Sequence, residues 1–235
     1  MKFLSLEEPR ALEQAIASIQ RGGVIAFPTD TVYGLGCSLS YPDALDRIYE
    51  LKRRDRERSL PVLLASPADL SKVTASVSPG LLAMARVFWP GPLTIALPAL
   101  DTLPRQVIAR DNTVGVRVPD HSVALTIVQR CGGAIAATSA NISGKAPACR
   151  SDEIERGLAD AIDLILGGGI APCGLPSSVI RPEGDTIFVI REGAIPAAAL
   201  HAAWNSLHDD ETAGTSGHPD ELLNAGTPAA RSKHV

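Results

Sequence analysis

Small polar side chains follow a short apolar run near the amino terminus. Residues 24–27 have the length of a buried strand, and Pro28 ends the run. Thr29, Asp30 and Thr31 come directly after it. Hydroxyls and a carboxylate at the mouth of a buried strand add little to core packing, but they are well placed to form hydrogen bonds to a small ligand. An ordinary strand followed by a polar turn would give the same local pattern, so the rest of the chain must decide.

The same pattern recurs at two later positions. The apolar run 134–137 leads into Ser139 and Asn141, and Ser177 lies within a later predicted strand at 176–180. In an α/β sheet, polar residues gathered at strand ends mark the crevice that binds the ligand. The three segments together therefore predict one site that is rich in hydroxyl groups.

Basic residues that could bind an anion come from three places. Residues 52–58 contain five basic and two acidic side chains, Arg117 interrupts an alternating apolar strand, and Arg191 lies in the last predicted strand. A solvated helix end, where cations are favoured, is the alternative interpretation of residues 52–58. A buried arginine such as Arg117 needs either a carboxylate partner within the chain or a ligand anion. The sequence leaves both interpretations open for each of these segments.

Histidines and cysteines are poorly placed for catalysis. The chain has five histidines, of which only His121 precedes residue 200, and its four cysteines form no C-x-x-C pair. This distribution argues against a histidine-based triad, a histidine-rich metal site and a disulfide framework. Hydroxyls combined with cations instead suit chemistry done by positioning and charge stabilisation, as in phosphoryl or nucleotidyl transfer.

The spacing of apolar residues predicts the elements that position these side chains. Helices are expected at 8–21, 42–51, 121–131 and 197–207, in two pieces over 67–88, and from Ser151 onward. Strands are expected at 24–27, 60–64, 93–97, 113–119, 134–137, 161–166, 176–180 and 186–193. We expect one catalytic domain, residues 1–200. A helix end and a disordered polar tail should follow at 201–235, because the tail has few apolar residues to bury.

Composition places the chain among ordinary globular proteins. It has 235 residues, 45% hydrophobic and 20% charged, enough for one substantial core or two small ones. A net charge of −4 gives no general basic field for nucleic acid, so any polynucleotide contact would have to be local. No apolar run approaches the ~20 residues of a membrane span, and the first ten residues lack the apolar centre of a signal peptide. We therefore expect a cytoplasmic protein with no membrane contact.

Seven short blocks of the sequence provide a more specific signal. They are Pro-Thr-Asp-Thr-Val-Tyr-Gly-Leu-Gly (28–36), Lys-x-Arg (52–54), Trp-Pro-Gly-Pro-Leu-Thr (89–94), Val-Gly-Val-Arg-Val-Pro (114–119), Ser-Ala-Asn-Ile-Ser-Gly (139–144), Pro-Ser-Ser-Val-Ile (176–180) and Ile-Arg-Glu-Gly-Ala-Ile (190–195). In this order they resemble the YrdC-like family of threonylcarbamoyl-AMP synthases. The resemblance covers roughly residues 8–200, and seven ordered blocks are far more specific than any one of them.

The resemblance implies a fold and a reaction. The implied fold is a twisted, open, mixed α/β sheet flanked by helices, with a concave basic face that binds ligands. The implied reaction converts ATP, L-threonine and bicarbonate to threonylcarbamoyl-adenylate and pyrophosphate. Partner proteins would then transfer the threonylcarbamoyl group to the tRNA adenosine beside the anticodon, with at most a weak tRNA contact by this chain. Mg²⁺ is expected to arrive bound to ATP, because the sequence shows no dedicated carboxylate cage.

The resemblance also implies roles for ten residues. Lys52 and Arg54 would be catalytic. Threonine would be contacted by Thr31, Arg117 and Ser177, and the nucleotide by Lys52, Arg54, Arg58, Thr113, Ser139, Asn141 and Arg191.

This chain departs from the family pattern at three places. Asp55 stands where many members have proline, and apolar residues with Ala65 stand where many have a histidine. Residues 146–148 contain no serine, although many members have one shortly after Gly-Lys.

Two other functions fit parts of the sequence. A non-catalytic module that binds double-stranded RNA or tRNA would explain the basic segment, but not the net negative charge or the clustered hydroxyls. The related carbamoyl-transfer domain of hydrogenase maturation proteins normally accompanies acylphosphatase and cysteine-rich zinc modules, for which this chain has no room. Pyrophosphate release that requires both L-threonine and bicarbonate would distinguish the synthase from a binding module.

Overall fold

A ten-stranded mixed sheet runs through the computed structural model of the protein, which describes residues 2–172 and 174–214. Its strands are β1 (Lys2–Ser5), β2 (Ile25–Phe27), β3 (Gly34–Ser38), β4 (Val62–Leu64), β5 (Leu93–Pro98), β6 (Thr113–Arg117), β7 (Ala134–Ser139), β8 (Leu164–Gly167), β9 (Ser178–Glu183) and β10 (Thr186–Arg191). Across the sheet they lie in the order β1-β8-β2-β3-β7-β4-β6-β5-β9-β10, with both parallel and antiparallel neighbours. Because β1 and β10 form separate edges, the sheet is open, and the predicted open, mixed α/β sheet is confirmed.

In the described part of the chain, six α-helices flank this sheet. They are α1 (Ala11–Gln20), α2 (Pro42–Lys52), α3 (Pro79–Phe88), α4 (Ser122–Arg130), α5 (Arg156–Ala161) and α6 (Ala197–Gly214). Most predicted helices are present, but the first piece of the segment 67–88 and the start at Ser151 are short 3₁₀ helices, Pro67–Lys72 and Ser151–Glu153. Helix α6 continues past residue 207, where we expected it to end. The remainder of the predicted tail, 215–235, lies outside the described residues. None of the described helices is both long and apolar enough to cross a membrane.

The sequence pattern fails to predict strands β1 and β3. The expected strands leave residues 28–36 unassigned, whereas β3 begins at Gly34. Glycine has no side chain to pack, so Gly34 and Gly36 interrupt the pattern of apolar side chains by which a strand is predicted. Backbone pairing with β2 on one side and β7 on the other holds the segment extended. In the same way, β1 is defined by its parallel pairing with β8.

Alternate residues of the strands pack into two separate hydrophobic layers. In β2, Ala26 belongs to the first layer, whereas Ile25 and Phe27 belong to the second. This division follows from the strand geometry, because successive side chains point to opposite faces of a sheet. Helices α2, α3, α5 and α6 contribute to the first layer, and α1 and α4 contribute to the second.

The second face of the sheet changes character along its width. Helices α1 and α4 pack against β2, β3, β4, β7 and β8. Farther along, Val116 of β6 and Ile95 of β5 belong to the first layer, so Arg117 and Thr94 point to the second face. A face that presents an arginine and a threonine is unsuited to burial under an apolar helix. Of the predicted site residues, Arg117 therefore lies on this part of the second face, next to Thr94.

Gly36 provides a test of the tight packing around β3. A Cβ atom at this position would lie 2.9 Å from the backbone oxygen of Ala136 and 3.0 Å from Phe27. We expect Gly36→Ala to lower the free energy of unfolding by about 1–3 kcal/mol, because a buried strand must shift to accommodate the methyl group. Chemical denaturation measures this loss.

The matched control is Gly157→Ala in α5, where a Cβ atom would meet no heavy atom within 4 Å. Alanine is the better helix former, so this variant should be as stable as the wild type or slightly more stable. Equal stability of the two variants would contradict the packing argument at Gly36.

Candidate active site

Nine of the ten predicted site residues line a single cleft on the second face of the sheet. The cleft has a volume of about 220 Å³. The nine residues are Thr31, Lys52, Arg54, Arg58, Arg117, Ser139, Asn141, Ser177 and Arg191.

Thr113 is the predicted site residue that does not line the cleft. It lies four residues before Arg117 on the same face of β6, which separates the two by roughly 13 Å along the strand. Its hydroxyl donates a hydrogen bond to Asp111 Oδ1 at 2.7 Å. The expected nucleotide contact at Thr113 remains a prediction.

Arg117 is buried at the end of β6 and forms an ion pair with Asp30. Its Nε donates to the carbonyl oxygen of Gly91 at 2.8 Å, and its Nη1 donates to Thr31 Oγ1 at 3.0 Å. The structure thus contains the carboxylate partner that was one of the two interpretations of this arginine. Because partners from two different segments, Asp30 and Thr31 in one and Gly91 in the other, hold the guanidinium, its plane is fixed while Arg117 still lines the cleft.

The threonine hydroxyls beside Arg117 form an ordered chain. Thr29 Oγ1 donates to the carbonyl oxygen of Val32 at 2.6 Å, which uses its single proton. Thr29 Oγ1 and Thr31 Oγ1 are 3.0 Å apart, so Thr31 must be the donor in that pair. The hydroxyl proton of Thr31 is therefore used in a hydrogen bond to Thr29 within the protein. Towards a ligand, Thr31 Oγ1 can act only as an acceptor, for example from an ammonium group.

Lys52, the last residue of α2, is almost completely buried, with 1% of its surface exposed. Its ammonium group donates to the carbonyl oxygens of Ser139 and Asn141, the latter at 2.6 Å, and lies 3.3 Å from Asn141 Oδ1. The carbonyl oxygen of Lys52 accepts a hydrogen bond from the backbone N–H of Ser143 at 2.8 Å. Lys52 is therefore not a solvated cation at a helix end, because its hydrogen bonds connect α2 to the loop that follows β7.

Arginines gather at the same end of the cleft. Arg54 donates to the carbonyl oxygens of Arg58 and Ser59 at 2.9 and 2.8 Å. Burial lowers the pKa of Arg54, and the nearby charge of Arg58 lowers it further. Burial likewise lowers the pKa of Arg191, followed by the charges of Arg58 and Arg117. Since arginine stays protonated, these shifts describe like charges held close together, a cluster that an anion would stabilise.

Ser177 connects this cluster to β5. Its hydroxyl lies 2.8 Å from Thr94 Oγ1, and its carbonyl oxygen accepts from Arg191 Nη2 at 2.7 Å. Thr94 also lines the cleft, although no role was predicted for it. The sequence signal that could have identified Thr94 was its position at the end of the block Trp-Pro-Gly-Pro-Leu-Thr. Asp30 was recognised as polar but was expected to face a ligand, whereas it pairs with Arg117.

Comparison with known proteins identifies the family of the chain. A family model named Sua5/YciO/YrdC and described as telomere recombination matches residues 17–193. The chain belongs to the Sua5/YciO/YrdC family.

Two curated relatives within this family are threonylcarbamoyl-AMP synthases. The Bacillus subtilis protein is 35% identical over 209 residues, an alignment that covers 88% of this chain and 60% of the relative. The Vibrio parahaemolyticus protein is 33% identical over 183 residues, which cover 77% of this chain and 98% of the relative. This chain therefore spans less than two thirds of the longer relative and nearly all of the shorter one.

A solved structure gives the same family assignment. The Pyrococcus abyssi Sua5 protein complexed with L-threonine superimposes with a TM-score of 0.79 at 32% sequence identity. The superposition covers 86% of this chain and 60% of the Sua5 chain.

The departures from the Sua5/YciO/YrdC sequence pattern have visible structural consequences. Leu63 of β4 lines the cleft in the strand where many members carry a histidine, so this wall is apolar. Asp55 replaces a proline, and its Oδ1 accepts from the backbone N–H of Glu57 at 2.9 Å, which builds the turn by a side-chain hydrogen bond.

The buried ammonium of Lys52 predicts a characteristic pH dependence. Burial and the charge of Arg54 lower the pKa of Lys52 to about 7, whereas a lysine in an unfolded chain titrates near 10.4. Between these values the unfolded state binds more protons, so the contribution of Lys52 to stability increases with pH. We expect the melting temperature of the wild type to rise relative to that of Lys52→Met between pH 7 and pH 9.

Melting curves of both proteins at several pH values provide the measurement. Lys72→Met removes a lysine that is 47% exposed and serves as the control. A constant difference between the wild type and Lys52→Met over this pH range would show that Lys52 does not titrate there.

Proposed function

We propose that the protein is a threonylcarbamoyl-AMP synthase, which condenses ATP, L-threonine and bicarbonate and releases pyrophosphate. The observation that carries the proposal is the convergence of buried hydroxyls and clustered cations in one cleft. It is supported by the alignment with nearly the whole length of a shorter synthase. The cations suit phosphate and carboxylate groups, and the hydroxyls suit the polar groups of an amino acid.

In the proposed reaction, the nitrogen of threonine bonds to the carbon of bicarbonate, and water is lost. An oxygen of the resulting carbamate then attacks the α-phosphorus of ATP, and the bond to the β,γ-diphosphate breaks. The products are threonylcarbamoyl-AMP, pyrophosphate and one water molecule. The protein accelerates these steps by aligning the reactants and by stabilising negative charge, since neither step requires a covalent bond to the enzyme.

The threonine end of the cleft is assigned to Arg117, Thr31 and Ser177. The guanidinium of Arg117 attracts the substrate carboxylate, and Asp30 on another side of the same group fixes its orientation. Thr31 Oγ1, whose proton is committed to Thr29, accepts a hydrogen bond from the substrate ammonium or hydroxyl group.

The nucleotide end is assigned to the arginine cluster and to the loop held by Lys52. Arg54, Arg58 and Arg191 stabilise the charge that develops on the phosphates as pyrophosphate leaves. Lys52 orients Ser139 and Asn141 through their carbonyl oxygens, so its replacement would disturb the nucleotide even without a direct contact.

Magnesium is proposed to enter as part of the ATP complex. In the part of the chain that the structure describes, no group of three histidine, cysteine, aspartate or glutamate residues is placed to hold a metal ion. The carboxylate beside the cleft, Asp30, is already paired with Arg117. Mg²⁺ binds readily to phosphate oxygens and water, which requires no protein cage.

The product implies further partners. Threonylcarbamoyl-AMP is a mixed anhydride, so it can serve as a donor of the threonylcarbamoyl group to a nucleophile. We propose that separate tRNA-modification proteins complete this transfer. The net charge of −4 provides little support for strong tRNA binding by this chain alone.

The reaction can be tested with purified protein, MgATP, L-threonine and bicarbonate. We expect pyrophosphate and threonylcarbamoyl-AMP to form together, because the carbamate is the nucleophile that displaces pyrophosphate. Enzyme-coupled pyrophosphate detection and mass spectrometry of the adenylate measure the two products. Omission of threonine or of bicarbonate is the control. Equal pyrophosphate release without threonine, or no release at all, would reject the proposal, and the latter result would favour a binding module.

The assignment of Arg117 predicts a selective loss of threonine affinity. Lysine cannot reproduce the planar guanidinium, so Arg117→Lys should raise the threonine requirement about tenfold or more while the ATP requirement changes little. The variant should also melt at a lower temperature, because the buried pair with Asp30 is weakened. Separate titrations of threonine and ATP, with a melting curve of the same protein, measure these effects.

Asp30→Asn separates the two roles of Arg117. It removes the charge of the partner but keeps the guanidinium, so it should lower the melting temperature with a much smaller effect on the threonine requirement. If Arg117→Lys loses stability while its threonine requirement equals that of the wild type, Arg117 belongs only to the structural ion pair.

A further inference from the structure

The loop after β7 contains Ser143, whose side chain takes no part in the hydrogen bonds that hold the loop. The side-chain nitrogen of Asn141 donates to the carbonyl oxygens of Ile142 and Lys145 at 2.9 and 2.6 Å. The backbone N–H of Lys145 donates to Ile142, and that of Ser143 donates to Lys52. These bonds fix the backbone of the loop and thereby the position of the Ser143 side chain.

The hydroxyl of Ser143 differs from its neighbours in the cleft. Its Oγ is buried and has no hydrogen-bond partner among the residues that the structure describes. By contrast, Ser139 Oγ lies 2.5 Å from Asn141 Oδ1, and Ser177 Oγ lies 2.8 Å from Thr94 Oγ1. A buried hydroxyl without a partner is unfavourable, and such groups in native proteins usually have a functional explanation.

The surroundings of Ser143 indicate what kind of partner is missing. Ser143 lines the cleft together with Arg54 and Arg58, and its backbone N–H donates to the carbonyl oxygen of Lys52, whose ammonium group is close enough to Arg54 for that charge to lower its pKa. A hydroxyl beside clustered cations suits an anionic oxygen, because the cations attract the charge and the hydroxyl supplies a directed donor.

We propose that the hydroxyl of Ser143 donates a hydrogen bond to a phosphate oxygen of the bound nucleotide. This inference rests on the proposed function, because it assumes that the cleft binds ATP. Ser143 contributes a neutral, directional contact that long arginine side chains cannot replace. It also supplies a hydroxyl at the nucleotide end in a chain whose residues 146–148 lack the serine common in the family.

The proposal makes opposite predictions for stability and for binding. Without ligand, Ser143→Ala should be as stable as the wild type or more stable, because the lost hydroxyl has no protein partner. In calorimetric titration with MgATP, the same variant should bind about tenfold more weakly or worse, since a hydrogen bond to a charged group is lost. Binding of adenosine, which carries no phosphate, should be unchanged.

Ser66→Ala is the matched control. Ser66 Oγ lies 3.0 Å from Asp69 Oδ2, and Ser66 is not among the residues that line the cleft. This variant should melt at a lower temperature than the wild type and bind MgATP equally well. Ser143→Cys provides a second substitution that keeps a side-chain γ atom but supplies only a weak donor, so its MgATP affinity should fall in the same direction.

Three outcomes would overturn the proposal. Unchanged MgATP affinity of Ser143→Ala would exclude a contact with the nucleotide, and an equal loss of adenosine affinity would place the contact away from the phosphates. A marked drop in melting temperature without ligand would assign Ser143 a structural role. Because binding is measured directly, the result does not depend on turnover. A wild type that binds MgATP but releases no pyrophosphate would reject the proposed reaction and leave the test of Ser143 valid.

Discussion

The buried ammonium group of Lys52 is the interaction on which the architecture of the cleft depends. Removing a charge from water is costly, and among the residues that the structure describes no acidic side chain offsets this cost at Lys52. Instead, carbonyl oxygens of Ser139 and Asn141 surround the ammonium, with Asn141 Oδ1 nearby. Because α2 follows β3 and the loop follows β7, which pairs with β3, this contact closes a unit of two strands and a helix. The polar loop at the end of β7 keeps its shape for this reason.

The arginine cluster shows how a site can be built at the expense of stability. Arg54, Arg58, Arg191 and Arg117 all line one cleft, and their charges lower the pKa values of neighbouring members. Repulsion of this kind is unfavourable in the free protein, and an anionic ligand would remove it. Local features that weaken a fold are expected mainly at functional sites, where binding recovers the energy. The well-packed first layer of the sheet, covered by α2, α3, α5 and α6, supports this arrangement.

Arg117 has the structural role that the sequence presented as one of two alternatives, and the proposed ligand contact is compatible with it. Its pair with Asp30 satisfies a buried charge, and its hydrogen bonds to Gly91 and Thr31 lock the guanidinium in one plane. A fixed guanidinium is also what recognition of a carboxylate requires, because little conformational freedom remains to be lost on binding. A structural ion pair and a ligand contact are therefore compatible at one residue.

Periodicity alone determined most helices and strands of this protein, because the pattern of apolar residues directly reflects which side chains are buried. The ordered sequence blocks correctly indicated the family, and nine of the ten residues to which the resemblance assigned a role share a cleft. Local pattern could not reveal β1 or β3, since these strands depend on backbone pairing with distant segments.

Only the tertiary structure decided the partner of each polar group. It paired Arg117 with Asp30, buried Lys52, placed Thr113 outside the cleft and left the hydroxyl of Ser143 without a partner in the described residues. The physical reason is that a hydrogen bond joins atoms within about 3 Å, whereas residues that meet here, such as Lys52 and Asn141, are 89 residues apart in sequence. Residue type specifies what a side chain can donate or accept, and the fold specifies which atom it meets.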